Sequence, residues 1–140
     1  MAAAALGRPP LTMAKLFDEL SLPIPERDVE WIEMVGGPRS PLAEDGDGVD
    51  FVRMLSADVD EVVLVADAGL GTINAVRLSI APFRALGREP LVILNRYDPA
   101  DDLHRRNAAW LHDHGVPALL DVDALVAAIE ARLEPTPARQ

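Results

Sequence analysis

Three short apolar runs constrain this chain more than anything else in it: Glu61-Val-Val-Leu-Val-Ala66, Pro90-Leu-Val-Ile-Leu94 and Val116-Pro-Ala-Leu-Leu120. Each is continuous rather than alternating, and turn residues close it. That is how strands buried on both faces read. A weaker run, Val29-Glu-Trp-Ile-Glu33, leads into Gly36-Gly37 and predicts a fourth strand. Helical patterns separate the runs. Residues Thr12 to Leu20 place Met13, Leu16, Phe17 and Leu20 on one face, and Val49 to Leu55 is short and amphipathic. Residues Ile73 to Leu86 carry Val76, Leu78, Ile80, Phe83 and Leu86, with Thr72 as the expected N-cap. Pro99 to His114 opens among aspartates, which favour a helix start, and Asp98 is placed to cap it. Asp121 to Leu133 follows an aspartate cap with apolar positions at Leu125, Val126, Ala128, Ile129 and Leu133. Alternation of this kind predicts right-handed βαβ units: four parallel strands with helices on both faces, a three-layer α/β fold. We expect one domain over residues 1–133, a loop over 38–48 and a frayed tail over 134–140.

Composition narrows the function. The 140 residues suit one ordinary domain, and 49% hydrophobic with 26% charged residues argues against a disordered chain. Thirteen basic residues against 23 acidic ones give a formal charge of −10, which repels phosphate backbones and anionic lipid. Nucleic-acid and membrane partners are therefore not expected. The absence of cysteine excludes disulfides, thiolate metal sites and a cysteine nucleophile. No apolar run approaches the roughly 20 residues of a membrane helix, and the alanine-rich start lacks a basic flank, so a cytoplasmic location is expected. Lys15 is the sole lysine, so chemistry that needs another must take it from a second chain.

Ligands of parallel sheets bind at the carboxyl ends of the strands. Three motifs fall there. Glu33-Met-Val-Gly-Gly37 combines a carboxylate with two glycines, a set that can hold a metal and bring backbone N–H groups near an anion. An ordinary turn with a solvated glutamate fits the same spacing. Gly69-Leu-Gly-Thr-Ile-Asn74 places glycines before a helix start, where N–H groups attract a carboxylate or phosphate. It lacks the third glycine of the dinucleotide fingerprint, and a capped βα turn explains it as well. Asn95-Arg-Tyr-Asp98 offers an amide for a purine edge, with Asp98 facing a guanine or serving the next helix. His104, His112 and His114 are poorly spaced for a shared metal, and Glu44 to Asp50 lacks the closing ligand of a calcium loop.

In order and spacing, Glu33-Met-Val-Gly-Gly-Pro-Arg-Ser-Pro-Leu42, Val62-Val-Leu-Val65, Gly69-Leu-Gly-Thr-Ile-Asn74 and Asn95 resemble the C-terminal part of dethiobiotin synthetase. The resemblance runs from about Ala3 to Ile129. Met34-Val35 stand where that family has Gly-Ala, and Ala75 stands where it has histidine. The resemblance implies a P-loop NTPase fold, here an incomplete Rossmann-like sandwich. It implies an ATP- and Mg2+-dependent ligase of biotin biosynthesis that closes a ureido ring on 7,8-diaminononanoate and CO2. By the same resemblance Glu33 is a magnesium ligand, Gly36 and Gly37 lie beside substrate and phosphoryl group, and Asn95 holds adenine. The Gly69–Asn74 turn then lies at a two-fold homodimer contact, with Asn74 on the substrate carboxylate. No Gly-x-x-x-x-Gly-Lys-Thr/Ser string occurs, so the chain alone is expected to be inactive, with a second chain as one source of the P-loop half. A non-catalytic dimerising nucleotide-binding remnant, or another P-loop amidoligase or partition ATPase relative, are the alternatives.

Overall fold

In the computed structural model, residues 5–20, 30–55 and 61–133 are described. They form an α/β fold with one parallel sheet, one antiparallel hairpin and five helices. The chain divides into two compact units, Met1–Val59 and Asp60–Gln140. The expected tail over 134–140 lies outside the described residues.

In the first unit, helix α1 spans Met13–Glu19, with Thr12 as its cap accepting from the Lys15 N–H. The Met13 N–H donates to Asp45 Oδ1 at 2.7 Å, tying the helix start to the turn of a hairpin. That hairpin joins β1 (Pro41–Ala43) to β2 (Gly46–Asp47), antiparallel, where sequence predicted only loop. Helix α2, Gly48–Met54, follows at once. Asp47 caps it, and Asp50 returns a hydrogen bond to the Asp47 N–H in a reciprocal capping box. Met13, Phe51 and Leu55 form the core, with Leu16, Phe17, Leu20, Met34, Leu42 and Ala43 against it. The fourth parallel strand is not found. Val29 lies outside the described residues, and Glu30 to Met34 pair with no strand among the described ones. A strand exists through the neighbouring strand that satisfies its backbone groups, and among the described residues no strand lies beside Trp31 to Met34; Trp31 and Ile32 stand exposed.

The second unit follows the predicted alternation. Its elements are β3 (Val63–Asp67), α3 (Thr72–Arg84), β4 (Leu91–Asn95), α4 (Asp102–Asp113), β5 (Ala118–Leu119) and α5 (Val122–Leu133). The strands are parallel in the order β3-β4-β5, with Val63 opposite Leu91, Asp67 opposite Asn95, and Ile93 opposite Leu119. Central β4 is buried from Leu91 through Leu94, which explains its unbroken apolar run. Val76 and Ile80 of α3 and Leu111 of α4 pack with Val92 and Leu94 on one face. Helix α5 packs on β4 and β5. Val65, in register with Ile93, stays 62% exposed.

Candidate functional site

The carboxyl end of β3 opens into Ala68-Gly-Leu-Gly71. The Gly69 N–H donates to Asp67 Oδ1 at 2.8 Å, and a Cβ at Gly69 would meet that same oxygen at 2.8 Å. A side chain at position 69 would push that oxygen aside and disturb its bond to the turn. Gly71, at φ +89, occupies the cap of α3 in the left-handed region, and no side chain caps the helix. Thr72, expected as that cap, is instead the first helical residue. It is 4% exposed, and its Oγ1 has no hydrogen-bond partner among the described residues. The cap position here is left-handed, and glycine adopts that conformation at lower cost than threonine. The first intrahelical bond runs from the Ala75 N–H to Gly71 O at 3.1 Å, so the Ile73 and Asn74 N–H groups precede the ladder. Asn74 is exposed on this first turn. Leu70, Asn74, Arg77, Leu78 and Trp110 are among the residues lining a groove beside it. The Arg77 guanidinium lies 5.4 Å from the Trp110 ring centre, and the His114 ring stacks on Trp110 at 3.6 Å.

Asn107 holds this turn from α4. It is 7% exposed, and its Nδ2 donates to Ala68 O and to Gly69 O, each at 2.9 Å. Sequence reasoning missed it. The signal was a polar residue in the apolar stripe of α4, between Leu103 and Leu111.

At the end of β4, Asn95 is exposed, and its Oδ1 accepts from the Arg96 N–H at 3.0 Å. Arg96 is left-handed at φ 59, and its guanidinium pairs with Asp67 Oδ2. The Gly69 N–H and then the Arg96 guanidinium hold the Asp67 carboxyl below its ordinary range, against a small opposing desolvation. Asp67 and Arg96 were also missed; an acidic residue closing a buried run was the available signal. Asp98 does not cap α4. Its Oδ1 accepts from the Ala100 N–H at 2.8 Å and its N–H donates to His104 Nδ1 at 3.1 Å, while Asp101 caps the helix. The Asp-Pro step forms its own turn, which delays the helix from Pro99 to Asp102.

The remaining predicted site residues belong to the first unit. Glu33 is exposed in irregular backbone. Gly36, at φ +88, stands where a Cβ would meet Ser40 Oγ at 2.5 Å, and Gly37 O accepts from the Ser40 N–H at 2.8 Å. Arg39 pairs with Asp47 at 2.9 Å. Burial raises the Asp47 pKa, but hydrogen bonds from Arg39 and from the Asp50 and Val49 N–H groups outweigh it and hold the group low. The acidic stretch 44–50 thus serves capping: Asp45 for α1, Asp47 and Asp50 for α2. Among the described residues, no three His, Cys, Asp or Glu side chains gather as a metal cage, and no helix is long and apolar enough to cross a membrane.

Parallel strands whose carboxyl ends carry Gly-, Asn- and Asp-rich turns define an α/β protein. Comparison with curated proteins gives this class a family context. The chain is 34% identical over 127 residues to an ATP-dependent dethiobiotin synthetase of Streptomyces coelicolor, covering 88% of this chain and 52% of that protein. It is 26% identical over 113 residues to the enzyme of that name from Clostridium botulinum, covering 80% of this chain and 50% of the relative. A Haloferax mediterranei relative of the same name is 35% identical over 86 residues, 59% of this chain and 34% of the relative. The chain spans about half the length, or less, of the curated relatives it matches. No protein-family model and no solved structure matches it. These similarities support a family-level relationship to dethiobiotin synthetases.

Proposed function

We propose that this chain supplies the base-holding and carboxylate-holding side of a dethiobiotin synthetase-like ligase. The family reaction is ATP- and Mg2+-dependent closure of a ureido ring on 7,8-diaminononanoate and CO2. The start of α3 carries the reading. Its N–H groups at Ile73 and Asn74 are ahead of the helical ladder, no side chain caps them, and the exposed Asn74 amide lies beside them. Such a helix start favours an anion, by about 0.3–1 kcal/mol when exposed. Arg77, one turn further along, adds positive charge to the same groove. Asn74 and these N–H groups hold the substrate carboxylate, and the Asn95 amide receives the adenine edge.

Gly36 and Gly37 pass close to the substrate and the transferred phosphoryl group. Glu33 suits magnesium as a single exposed carboxylate, because that ion takes most ligands from water and phosphate. Magnesium, when bound, neutralises charge on the transferred phosphoryl group. The Gly69–Asn74 turn, with Leu70 93% exposed and Leu78 67% exposed on α3, meets a second copy of the chain across a two-fold axis. Phosphate-binding lysine and loop come from a polypeptide that bears the P-loop half.

Two measurements test the reading. Nonanoate titrated into 15N-labelled protein should shift the Ile73 and Asn74 amides, and Asn74→Ala should weaken the response; unshifted amides would refute the carboxylate site. The 140-residue chain with ATP, magnesium, diamine and bicarbonate should give no steady-state turnover, since losing even one preorganised donor costs about 2.7–4 kcal/mol in the transition state. Turnover near one per second, abolished by Glu33→Gln and Arg39→Ala, would make the chain an enzyme by itself.

A further inference from the structure

Asp67 ends β3 with both carboxylate oxygens engaged. Oδ1 accepts the Gly69 N–H and so closes the turn into α3; Oδ2 accepts the Arg96 guanidinium from the end of β4. Arg96 reaches it from left-handed backbone, which disfavours a residue with a Cβ. The same residue gives its N–H to Asn95 Oδ1 at 3.0 Å. A glycine would make this turn with less strain, and an ion pair this exposed adds little stability. What an arginine adds here is a fixed link between three groups: the Gly69 turn, Asp67 and the Asn95 amide.

The link also fixes which way that amide faces. Only Oδ1 can accept the Arg96 N–H, so the amide does not flip. Nδ2 makes no hydrogen bond among the described residues, and Oδ1 keeps a second lone pair. One donor beside one acceptor complements adenine, which offers N6–H2 beside a ring nitrogen acceptor. On its corresponding edge guanine presents O6 and N1–H, the same pair in reverse order, so an amide fixed in one orientation accepts adenine and rejects guanine in the same pose.

We propose that the Asp67–Arg96 pair is a positioning device: it holds the Asn95 amide in the orientation that selects adenine over guanine and couples that orientation to the Gly69–Asn74 turn. The selectivity rests on the reading of Asn95 as the base-holding residue; the coupling does not.

The test uses the 15N-labelled chain and adenosine and guanosine as probes. In the wild-type protein the Asn95 side-chain amide should be ordered by heteronuclear NOE. Arg96→Gly keeps the backbone N–H that Asn95 Oδ1 accepts but frees residue 96 from Asp67; it should disorder the amide and speed Gly69 N–H exchange about tenfold, although Gly69 touches Asp67 and not Arg96. Asp67→Ala should disorder the Asn95 amide, although Asn95 does not touch Asp67. Arg96→Lys, which keeps the charge, should restore part of the order. Adenosine should bind the wild type several-fold tighter than guanosine, and Arg96→Gly and Asp67→Ala should each lose that preference.

Acid titration of the wild type gives a check that needs no variant. The Asn95 amide shift should follow the Asp67 carboxyl carbon, the groups facing it being Arg96 from β4 and His104 from α4. An Asn95 amide that stays ordered in both variants and indifferent to that titration would overturn the proposal. If wild-type protein binds no adenosine while Asn95 and Gly69 still respond, the base-holding reading falls and the coupling stands.

Discussion

Asn107 shows how much one buried amide can organise. It satisfies two backbone carbonyls of the β3–α3 turn, Ala68 O in a buried bond and Gly69 O in a part-buried one. Asn107→Leu leaves both carbonyls without their donor. We expect a loss of about 1–3 kcal/mol, read from urea unfolding, with faster exchange at Gly69 and Leu70; an unchanged midpoint would show that the turn stands without it. Asp67 makes a prediction in pH. Its pKa is depressed in the folded chain by the Gly69 N–H and Arg96, so its contribution to stability is complete above the free aspartate value of about 3.9. That contribution disappears as pH falls through the lower, folded value. Asp67→Asn should therefore flatten the acid limb of the unfolding midpoint below about pH 4 and leave the slope near neutrality unchanged.

The strands differ in burial although their sequences look alike. Leu94 on β4 is 1% exposed, whereas Val65 on β3 is 62% exposed. Leu94→Ala should cost about 2–5 kcal/mol, the range for a truncated core leucine. Val65→Thr should change stability by less than about 0.5 kcal/mol, as surface substitutions do. Equal losses in chemical denaturation would mean that Val65 is covered in solution. Helix α3 carries Pro82 inside its last turns and continues to Arg84, because the buried Phe83 and Ile80 side chains anchor that end in the core.

The second unit leaves one side of its sheet partly open. Within the described residues β3 pairs with β4 alone, and its outer edge has no strand. Exposed strand edges and apolar groups favour association. With the proposed two-fold contact at Leu70 and Leu78, the chain should sediment as a dimer at micromolar concentration, and Leu78→Asp should return it to monomer. A wild-type chain that sediments as a monomer would remove the contact. The formal charge of −10 opposes close approach of two copies, so dimerisation should strengthen as salt rises through physiological values.

The three parallel strands and all five helices of the described residues were legible in the sequence because their signals are local. A run such as Leu91 to Leu94 states its burial on both faces, and Asp47 or Asp101 finds its N–H partners within three residues. The weak run at 29–33 was not decidable in that way, since pairing depends on a neighbour that the run itself does not encode. The hairpin at Pro41–Asp47 escaped because strands of three and two residues carry no period, and its turn is fixed by Asp45 reaching Met13 from 32 residues away. The same reason separates the site residues. Glycines and asparagines at strand ends announce themselves through backbone geometry. Asp67 and Arg96 meet across 29 residues, and Asn107 meets Ala68 across 39, so only the folded chain could bring them together.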